Sequence, residues 1–311
     1  MSDDLKHKMA PHAVTRRDVL HSLGVALSVM PFAGLAGCGD TSAGGTGGTG
    51  GAGGTGGTGG TGGTTSTGGW ASGGTASMSG DYPDPFTDNL GTTCGMTCAL
   101  MLGPCYAETI ERKDISEGYP GLPVRLALLV VDESCNPIEG ASVDIWHTRN
   151  AGLYSGSDAV DMCTFNDADA ESHRYFRGVQ ATGADGRVDF DTCYPGWYQG
   201  RAVHIHFTVR VGGQEYVTSQ LFFPEDLTTQ ISADHPDYKE FGQPDTSNST
   251  DMLYSDEGAL LSTALQPDGA LLAWKVLVIR SSLATTICGD PNGPGGFGGG
   301  PPGGGGGPPG G

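Results

Sequence analysis

Two glycine-rich blocks limit how much of this 311-residue chain can fold around a core. The first block, residues 41–74, repeats Gly-Gly-Thr units, and the second, residues 289–311, is dominated by Gly and Pro. Neither block offers an apolar face to bury, so we expect both to be flexible. The residues between them are enough for one domain with a sizeable core. We therefore predict a flexible linker at 38–80, a folded domain at 81–288 and a disordered tail at 289–311.

The chain is acidic, with a formal net charge of −19 at pH 7 and a pI near 4.5. An acidic surface repels the phosphate backbone, so nucleic acid is excluded as an expected partner. The same charge argues against electrostatic attraction to an anionic lipid surface. Within the foldable part the acids are scattered among apolar residues, which indicates an ordinary soluble surface.

The N-terminus has the pattern of an export signal. Arg16 and Arg17 precede an apolar run that ends at Leu35, and the small residues after it lead into Cys38. Residues 1–37 resemble a twin-arginine signal fused to a lipoprotein cleavage box, with Cys38 as the lipidated residue. We expect an exported protein that touches the membrane only through this lipid. The alternative is a short signal anchor that is never cleaved.

Seven cysteines remain after Cys38, and in an exported protein they are candidates for disulfide bonds. They are Cys94, Cys98, Cys105, Cys135, Cys163, Cys193 and Cys288. Because the number is odd, at least one thiol is free or pairs between chains. The first three are close enough in sequence for a metal cluster, but no histidine lies near them. A local disulfide that staples the entry segment is the favoured interpretation.

The residue pattern of the domain predicts an all-β fold. Apolar or alternating runs occupy residues 124–131, 141–146, 188–190, 204–209, 216–223 and 271–279. The second run reads as the return strand of a hairpin with the first, and Asp185-Gly186 is a hairpin signal. Short helices are expected at 226–233 and 258–265. Many short strands joined by Gly and Pro turns are typical of a β-sandwich or barrel-like domain with a few short helices.

His204 and His206 are two residues apart on a predicted strand. Alternation along a strand turns both imidazoles to one face and Ile205 to the other layer, so the histidines are candidate metal ligands. Tyr198 follows a Pro-Gly turn just upstream, and Tyr154 lies in a loop after the 141–146 strand. Each tyrosine alone is more often a rim aromatic. Together with the histidines they indicate Fe(III), because a phenolate is a hard anionic donor and its reference pKa is about 10.

The stretch from Cys105 to about Pro224 resembles the intradiol ring-cleavage dioxygenases, the group that includes protocatechuate 3,4-dioxygenase and catechol 1,2-dioxygenase. The matching blocks, in chain order, are residues 121–126, 140–147, 152–154, 177–180, 185–188, 194–198, 201–206 and 218–222. They cover about 120 residues in the right order. The combination is specific, although no single block is.

The resemblance implies a non-haem Fe(III) held by Tyr154, Tyr198, His204 and His206. By motif, the second tyrosine ligand is Tyr198 rather than Tyr194. Arg201 is implied to lie over the substrate, and Gln220 to support the site. The implied reaction takes a small aromatic diol and O2, with Tyr198 leaving the iron as the diol binds. It opens the ring between the two hydroxyls to a muconate-type diacid.

Departures from the family pattern concern the substrate and the oligomer. No long helical region precedes the domain in this sequence, so we expect neither the helical dimer interface nor the lipid pocket of the catechol 1,2-dioxygenase branch. The oligomeric state stays open. The 155–173 loop carries Asp158, Asp161, Asp167, Asp169 and Glu171, which favours a neutral catechol or a larger lignin-derived phenol.

Two other functions remain open at this stage. The 122–146 segment also resembles transthyretin-like and carboxypeptidase-regulatory modules, which bind or scaffold without catalysis. An iron-binding but inactive relative is the third possibility. Transthyretin-like and carboxypeptidase-regulatory modules have no reason to keep the complete tyrosine and histidine set.

Several other polar and aromatic residues receive simpler interpretations. His147 is expected in packing rather than as a fifth ligand, and His173 and His235 are expected to be solvated. Asp144 is expected to be a buried acid that either orients the site or pairs with a neighbouring strand. The tryptophans expected in the core or pocket wall are Trp146, Trp197 and Trp274.

Overall fold

The computed structural model describes residues 69–254 and 259–289. The predicted signal at 1–37, Cys38, most of the linker and all but the first residue of the tail lie outside these ranges. The strands are β1 (Pro123–Val131), β2 (Ser142–Trp146), β3 (Arg177–Ala181), β4 (Arg187–Cys193), β5 (His204–Val211), β6 (Gln214–Phe222), β7 (Ser262–Leu265) and β8 (Leu271–Val278).

The eight strands form two four-stranded sheets, which confirms the all-β prediction. One sheet, with order β3-β2-β5-β6, is called the site sheet below; the other, with order β4-β1-β8-β7, is called the support sheet. All neighbours are antiparallel except β1 and β8, which run parallel from the Val124–Leu271 pair to the Val131–Val278 pair. Apolar side chains from both sheets meet in one buried core, as in a β-sandwich.

Strand β1 is apolar along its whole length because both of its faces are covered. Its inward side chains, such as Val124 and Leu126, lie in the core between the sheets. Its outward side chains Leu129 and Val131 pack beneath an apolar cover that includes Phe86 and Leu90. A strand buried on both sides reads as a continuous hydrophobic run rather than an alternating one.

Successive side chains on the strands of the site sheet alternate between the core and the outward face, as the sequence predicts. On β2 and β5 the side chains of Ile145 and Ile205 enter the core, while Asp144 and the two histidines His204 and His206 face outward. The outward face is therefore the polar one. The prediction that Ile205 points into the other layer while both imidazoles share the opposite face is confirmed.

Two predicted hairpins are wrong. Strand β1 is not paired with β2, because they belong to different sheets, and the intervening turn carries the chain from one layer to the other. The Asp185-Gly186 turn is present, with Gly186 donating to the Gly183 carbonyl at 2.9 Å, yet β3 and β4 also lie in different sheets. The turn signals were correct. The chain uses both turns to cross the sandwich rather than to extend a sheet.

The helices are short. They are α1 (Asp161–Thr164), α2 (Ala168–Ser172) and α3 (Glu225–Asp234), so the helix predicted at 226–233 is confirmed. The helix predicted at 258–265 is wrong, because residues 262–265 form β7 and pair with β8. Across the described residues, no helix is long and apolar enough to cross a membrane.

Three disulfides join segments that are distant in sequence. They are Cys94–Cys135, Cys98–Cys288 and Cys105–Cys163, and among the described cysteines Cys193 is the free, buried thiol. The expectation of one unpaired thiol is confirmed. The expectation of a local staple is wrong, because Cys94, Cys98 and Cys105 each reach a different partner.

Residues 69–80, assigned to the linker from their composition, pack against the domain. Trp70 and Ala71 are buried, and the Ala71 amide donates a hydrogen bond to the Gly269 carbonyl at 2.8 Å. The Gly74 amide donates a hydrogen bond to the Gly121 carbonyl at 3.0 Å. The packed region therefore begins before Asp81. Repetitive composition did not reveal this, because the anchoring residue is a single tryptophan.

Candidate metal centre

Four side chains converge at the Nε2 atom of His204. Measured from this atom, the His206 Nε2 lies at 3.1 Å, the Tyr198 hydroxyl at 3.2 Å and the Tyr154 hydroxyl at 3.5 Å. These are the four residues that the sequence singled out as ligands. The structure brings all of them together on the outward face of the site sheet.

The histidines are held in place by β5 and its neighbour. His204 begins the strand, and its Nδ1 donates to the Ala202 carbonyl at 2.6 Å. His206 is paired in register with Trp146 of β2, and the two rings stack 5.0 Å apart with only 14° between their planes. Gly103 comes so close to the His206 ring that an added Cβ would lie 3.2 Å from its Cε1 atom. Both imidazoles are therefore fixed before any ligand arrives.

The tyrosines come from two loops that touch backbone to backbone. Gly152 has φ +75°, and a Cβ there would lie 2.2 Å from the Trp197 carbonyl oxygen. At Gly196 a Cβ would lie 2.3 Å from the Asn150 carbonyl oxygen. Only glycine allows this approach. The glycines of the two motifs thus explain why Tyr154 and Tyr198 reach the same point.

Burial sets the protonation preference of all four groups. It raises the pKa of Tyr154 well above its usual value, with Tyr198 as the next cause, and it also raises the pKa of Tyr198. It lowers the pKa of His204 to about 3 and pushes that of His206 well below its usual value. Both imidazoles are therefore neutral and able to donate lone pairs, whereas the phenols need a strong cation nearby to ionise.

The arrangement of lone pairs fits a metal ion. Since a carbonyl oxygen only accepts hydrogen bonds, the proton of neutral His204 must be on Nδ1, which leaves one lone pair on Nε2. That lone pair faces Tyr154, Tyr198 and His206 at once. One lone pair cannot serve three neighbours well, but a cation among the four atoms would be bound by all of them.

The four donor atoms also limit which metal ion would fit this centre. Among the described residues, no group of three or more His, Cys, Asp or Glu side chains comes together as a metal site. A metal ion at His204 would therefore need the two tyrosines as ligands in addition to the two histidines. Two phenolates with two imidazoles match a hard trivalent cation such as Fe(III) better than a softer divalent one.

Arg201 and Gln220 lie at the same edge of the centre. Arg201 Nη1 lies 3.5 Å from the Tyr198 hydroxyl, and its Nη2 donates to Gln220 Oε1. Its Nε donates to Asp251 Oδ2 at 2.9 Å. The sequence analysis placed the first two residues here and missed Asp251. No motif signals Asp251, because it lies in a loop fifty positions along the chain.

A second missed residue is Arg177, which is fully buried beneath Tyr154. Its guanidinium carbon lies 5.8 Å from the Tyr154 ring centre. Its nitrogens donate to the carbonyls of Ser155 and Cys105 at 2.7 to 2.9 Å. Arg177 therefore ties the residue that follows Tyr154 to the separate segment that carries Cys105. It stood within a matched sequence block but received no role there.

The simpler interpretations of other residues mostly agree with the structure. His147 uses both ring nitrogens, on the Thr148 carbonyl and the Thr192 hydroxyl, and so packs rather than reaching the centre. Asp144 pairs with Arg210 of the neighbouring strand at 3.1 Å. His235 is a correction: it was expected to be solvated, but it is fully buried.

The His235 ring is used to hold the start of the described domain. Its Nε2 lies 2.9 Å from the Ala71 carbonyl oxygen, and its Nδ1 accepts a hydrogen bond from the Asp237 amide at 3.2 Å. Polar neighbours in sequence suggested a wet environment. Because both ring nitrogens have hydrogen-bond partners on the backbone, this histidine can be buried without leaving a polar atom unsatisfied.

The acidic 155–173 segment is less repulsive than its sequence suggested. Asp158 pairs with Arg174, and both Asp167 and Asp169 lie within ion-pair distance of Arg149. Asp167 also caps helix α2 through the Ala170 amide. Three of the five acids are thus paired with arginines that lie just outside the segment, so the acidic sequence is weaker evidence about the charge of the substrate than expected.

Comparison with known proteins shows that this chain is similar to dioxygenases. Residues 103–234 match the protein-family model described as Dioxygenase. Catechol 1,2-dioxygenase 1 of Acinetobacter lwoffii is 26% identical over 150 residues, which is 40% of this chain and 46% of the relative. A chlorocatechol 1,2-dioxygenase of Rhodococcus opacus is 28% identical over 126 residues, or 34% of this chain and 46% of the relative. The chain thus spans less than half the length of these curated relatives.

A solved structure extends the likeness over nearly a whole domain. The intradiol ring-cleavage dioxygenase from Tetranychus urticae is 28% identical and superposes with a TM-score of 0.55. The match covers 62% of this chain and 98% of that chain.

Proposed function

Because the domain belongs to the intradiol ring-cleavage dioxygenase family, we propose that it opens a catechol-type ring with O2 through a non-haem Fe(III). The observation that carries this proposal is the convergence of two phenol oxygens and two imidazole nitrogens at His204 Nε2. The proposed ligands are Tyr154, Tyr198, His204 and His206. The product would be a muconate-type diacid, with both oxygen atoms of O2 added across the bond between the two hydroxyl-bearing carbons.

When bound, Fe(III) would supply a Lewis acid that takes both catechol oxygens and makes the ring reactive toward O2. The two histidines and Tyr154 are buried, so they are suited to hold the metal throughout. Tyr198 is partly exposed, and it is the tyrosine that lies beside Arg201. We propose that its phenolate oxygen takes the proton of one catechol hydroxyl as the substrate binds.

Arg201 supplies directed positive charge at the same edge. Its Nη1 and Nη2 point toward Tyr198 and Gln220. These two groups can donate to the oxygen on which negative charge develops as the ring carbon is attacked. Gln220 keeps its oxygen turned toward Arg201, because its amide nitrogen faces the Met101 carbonyl at 3.5 Å. We assign Arg201, Tyr198 and Gln220 to the chemistry on these contacts.

We favour a neutral diol as substrate over a carboxylate-bearing one. The cation nearest the donor atoms is Arg201, and Asp251 already balances its charge at 2.9 Å. A substrate carboxylate would therefore lack an uncompensated partner at this edge. A panel of catechols that differ in charge, compared by oxygen uptake, tests this preference. Faster turnover of the carboxylated member would contradict it.

Export remains part of the proposal. Three disulfides among the described residues support an oxidising compartment. The lipid at Cys38 stays a prediction from the sequence, and the mass of the mature N-terminal peptide would decide it.

The experiment that tests the function is a visible spectrum of the purified protein with and without catechol. An enzyme should show a tyrosinate-to-iron band that shifts as catechol binds, together with oxygen uptake. A band that stays fixed would indicate an inactive iron binder, and a colourless, iron-free protein would indicate a scaffold. Either of these outcomes contradicts the proposal.

A matched pair of variants sharpens this experiment. Tyr154→Phe removes one proposed ligand and should abolish the band or move it to shorter wavelength. Tyr194→Phe is the control, because Tyr194 is equally buried but bonds Thr228 at 2.7 Å and faces the core. Its band should match the wild type. Equal spectra for the two variants would remove Tyr154 from the proposed ligands.

A further inference from the structure

One acidic residue lies beside the candidate metal centre and accepts a hydrogen bond from Arg201. Asp251 follows a short 3-10 helix at Asn248–Thr250, and its side chain is completely buried. Its Oδ2 accepts from Arg201 Nε at 2.9 Å and from the Ala202 amide at 2.7 Å. Its Oδ1 accepts from the Leu253 amide at 2.8 Å. Both carboxylate oxygens are therefore occupied, and the group is fixed in orientation.

This carboxylate determines which way the Arg201 guanidinium faces. A guanidinium is planar, so fixing its Nε–H direction leaves little freedom to the two Nη groups. With Nε taken by Asp251, Nη1 is directed to the Tyr198 hydroxyl and Nη2 to Gln220. Without the carboxylate, Arg201 would have to find another buried acceptor or turn toward solvent.

We propose that Asp251 is a positioning residue for ring cleavage, acting through Arg201. The proposal rests on the function proposed above. It assigns Asp251 no contact with substrate or metal: it holds the guanidinium so that both Nη groups face the reacting edge. It also balances the arginine charge, which lets the cation remain in a nearly dry site.

The same chain holds a comparable ion pair without this role. Arg125 of β1 donates through its Nε to Asp191 Oδ1 at 2.5 Å, across adjacent strands of the support sheet. Both pairs join an arginine Nε to a largely buried aspartate. Only Arg201 is in contact with the metal centre. This makes Asp191 the matched control for Asp251.

The first test compares Asp251→Asn with Asp191→Asn in the iron-loaded protein. Misdirecting a catalytic group by about 1 Å costs about 100-fold in rate, so we expect kcat of Asp251→Asn to fall between 10- and 100-fold. Iron content should not change, and affinity for catechol without oxygen should stay within about threefold. Asp191→Asn should keep the wild-type kcat. A kcat within twofold of wild type for Asp251→Asn would overturn the proposal.

The second test separates positioning from simple support of the loop. In an Arg201→Gln background the guanidinium is gone, so Asp251→Asn should cause no further loss of kcat. It should also raise the melting temperature of that background, because it removes a buried carboxylate that has lost its partner. Losses that multiply in the double variant, or iron lost from Asp251→Asn alone, would show a merely structural role.

Failure of this inference is distinguishable from failure of the proposed function. A wild-type protein without oxygen uptake on any catechol contradicts the function before any variant is compared. An active wild type with an unaffected Asp251→Asn contradicts only the positioning role. Asp251→Glu adds a further check: it keeps the charge, so it should recover part of the rate that Asp251→Asn loses.

Discussion

The two sheets of the sandwich treat buried polar side chains differently. Within its strands the support sheet buries only two of them, Arg125 and Thr192. The buried polar side chains on the strands of the site sheet are Asp144, Arg177, His204, His206, Thr208, Thr218, Ser219 and Gln220. Burying polar groups costs free energy unless each finds a partner. Apart from Ser219, which is paired in register with the core residue Phe207, these side chains lie on the outward face of the site sheet. The support sheet largely avoids this cost.

The difference arises from what covers the outer face of each sheet. Over the support sheet lies an apolar cover that includes Phe86, Leu90 and Met96. Over the site sheet lie the loops that carry Tyr154, Tyr198 and Arg201. The inner faces share one apolar core. The apolar packing is therefore concentrated in the core and on the support sheet, and the candidate site lies on the outer face of the other sheet.

The largest expected effect comes from removing a histidine on the outer face. His206→Ala should lose iron affinity by more than ~100-fold, because even a residue that only supports a metal ligand contributes ~10–100-fold. Oxygen uptake should be lost with the iron. Metal analysis and oxygen uptake on the same preparation measure both.

A buried histidine outside the centre is the control for His206. His147 joins the two sheets through the Thr192 hydroxyl at 2.8 Å and stacks on Phe176. His147→Gln should keep its iron and lose only stability. If His147→Gln lost iron as completely as His206→Ala, the division between the outer face and the rest of the fold would be wrong.

How much of this division could be predicted depends on how local the signal is. Alternation is a local property, so the sequence correctly placed Ile205 in the core and the two histidines on the other face. The Gly-x-Tyr and Pro-Gly-x-Tyr motifs are also local, and the structure brings Tyr154 and Tyr198 to His204 as expected.

Non-local choices were the ones that failed. Pattern alone does not tell whether β1 pairs with β2 or crosses to the other sheet, because a turn of either kind has the same residues. Disulfide partners are equally invisible, and Cys98 pairs with Cys288 at a separation of 190 residues. Asp251 was missed for the same reason, since its partner Arg201 is distant in sequence. The four candidate ligands were predictable, but Asp251, which contacts Arg201 beside them, was not.

The disulfides provide the second test of the comparison. Cys105–Cys163 lies beside Tyr154, whose amide donates to the Cys163 carbonyl at 3.0 Å. Cys94–Cys135 lies over the support sheet, where Cys94 packs on Leu129 and Val131. The bridged separations are similar, 58 and 41 residues, so replacing either pair by serine should cost about 4 kcal/mol of unfolding free energy.

Only one of these replacements should affect the metal. Loss of Cys105–Cys163 frees both segments around Tyr154 and should weaken iron retention by ~10-fold, as for a group that supports a ligand. Loss of Cys94–Cys135 should leave iron retention at the wild-type level. Chelator-driven iron release and thermal unfolding distinguish the two effects. Equal iron loss from both variants would mean that the support sheet also holds the centre.

The smallest expected effect is a pH dependence located at the junction of the sheets. Burial lowers the pKa of His147 from 6.5 to about 3, so the folded protein keeps the ring neutral where the unfolded chain protonates it. The contribution of His147 to stability is therefore complete above pH 6.5 and declines as the pH falls toward 3. Between pH 6.5 and 4.5 the loss from this group should be about 2–3 kcal/mol.

His147→Gln removes that titration, so its unfolding free energy should decline less steeply with acid than that of the wild type. Denaturant unfolding at several pH values measures the two slopes. If His147→Gln and the wild type ran parallel, the buried contact between the sheets would not be the acid-sensitive point.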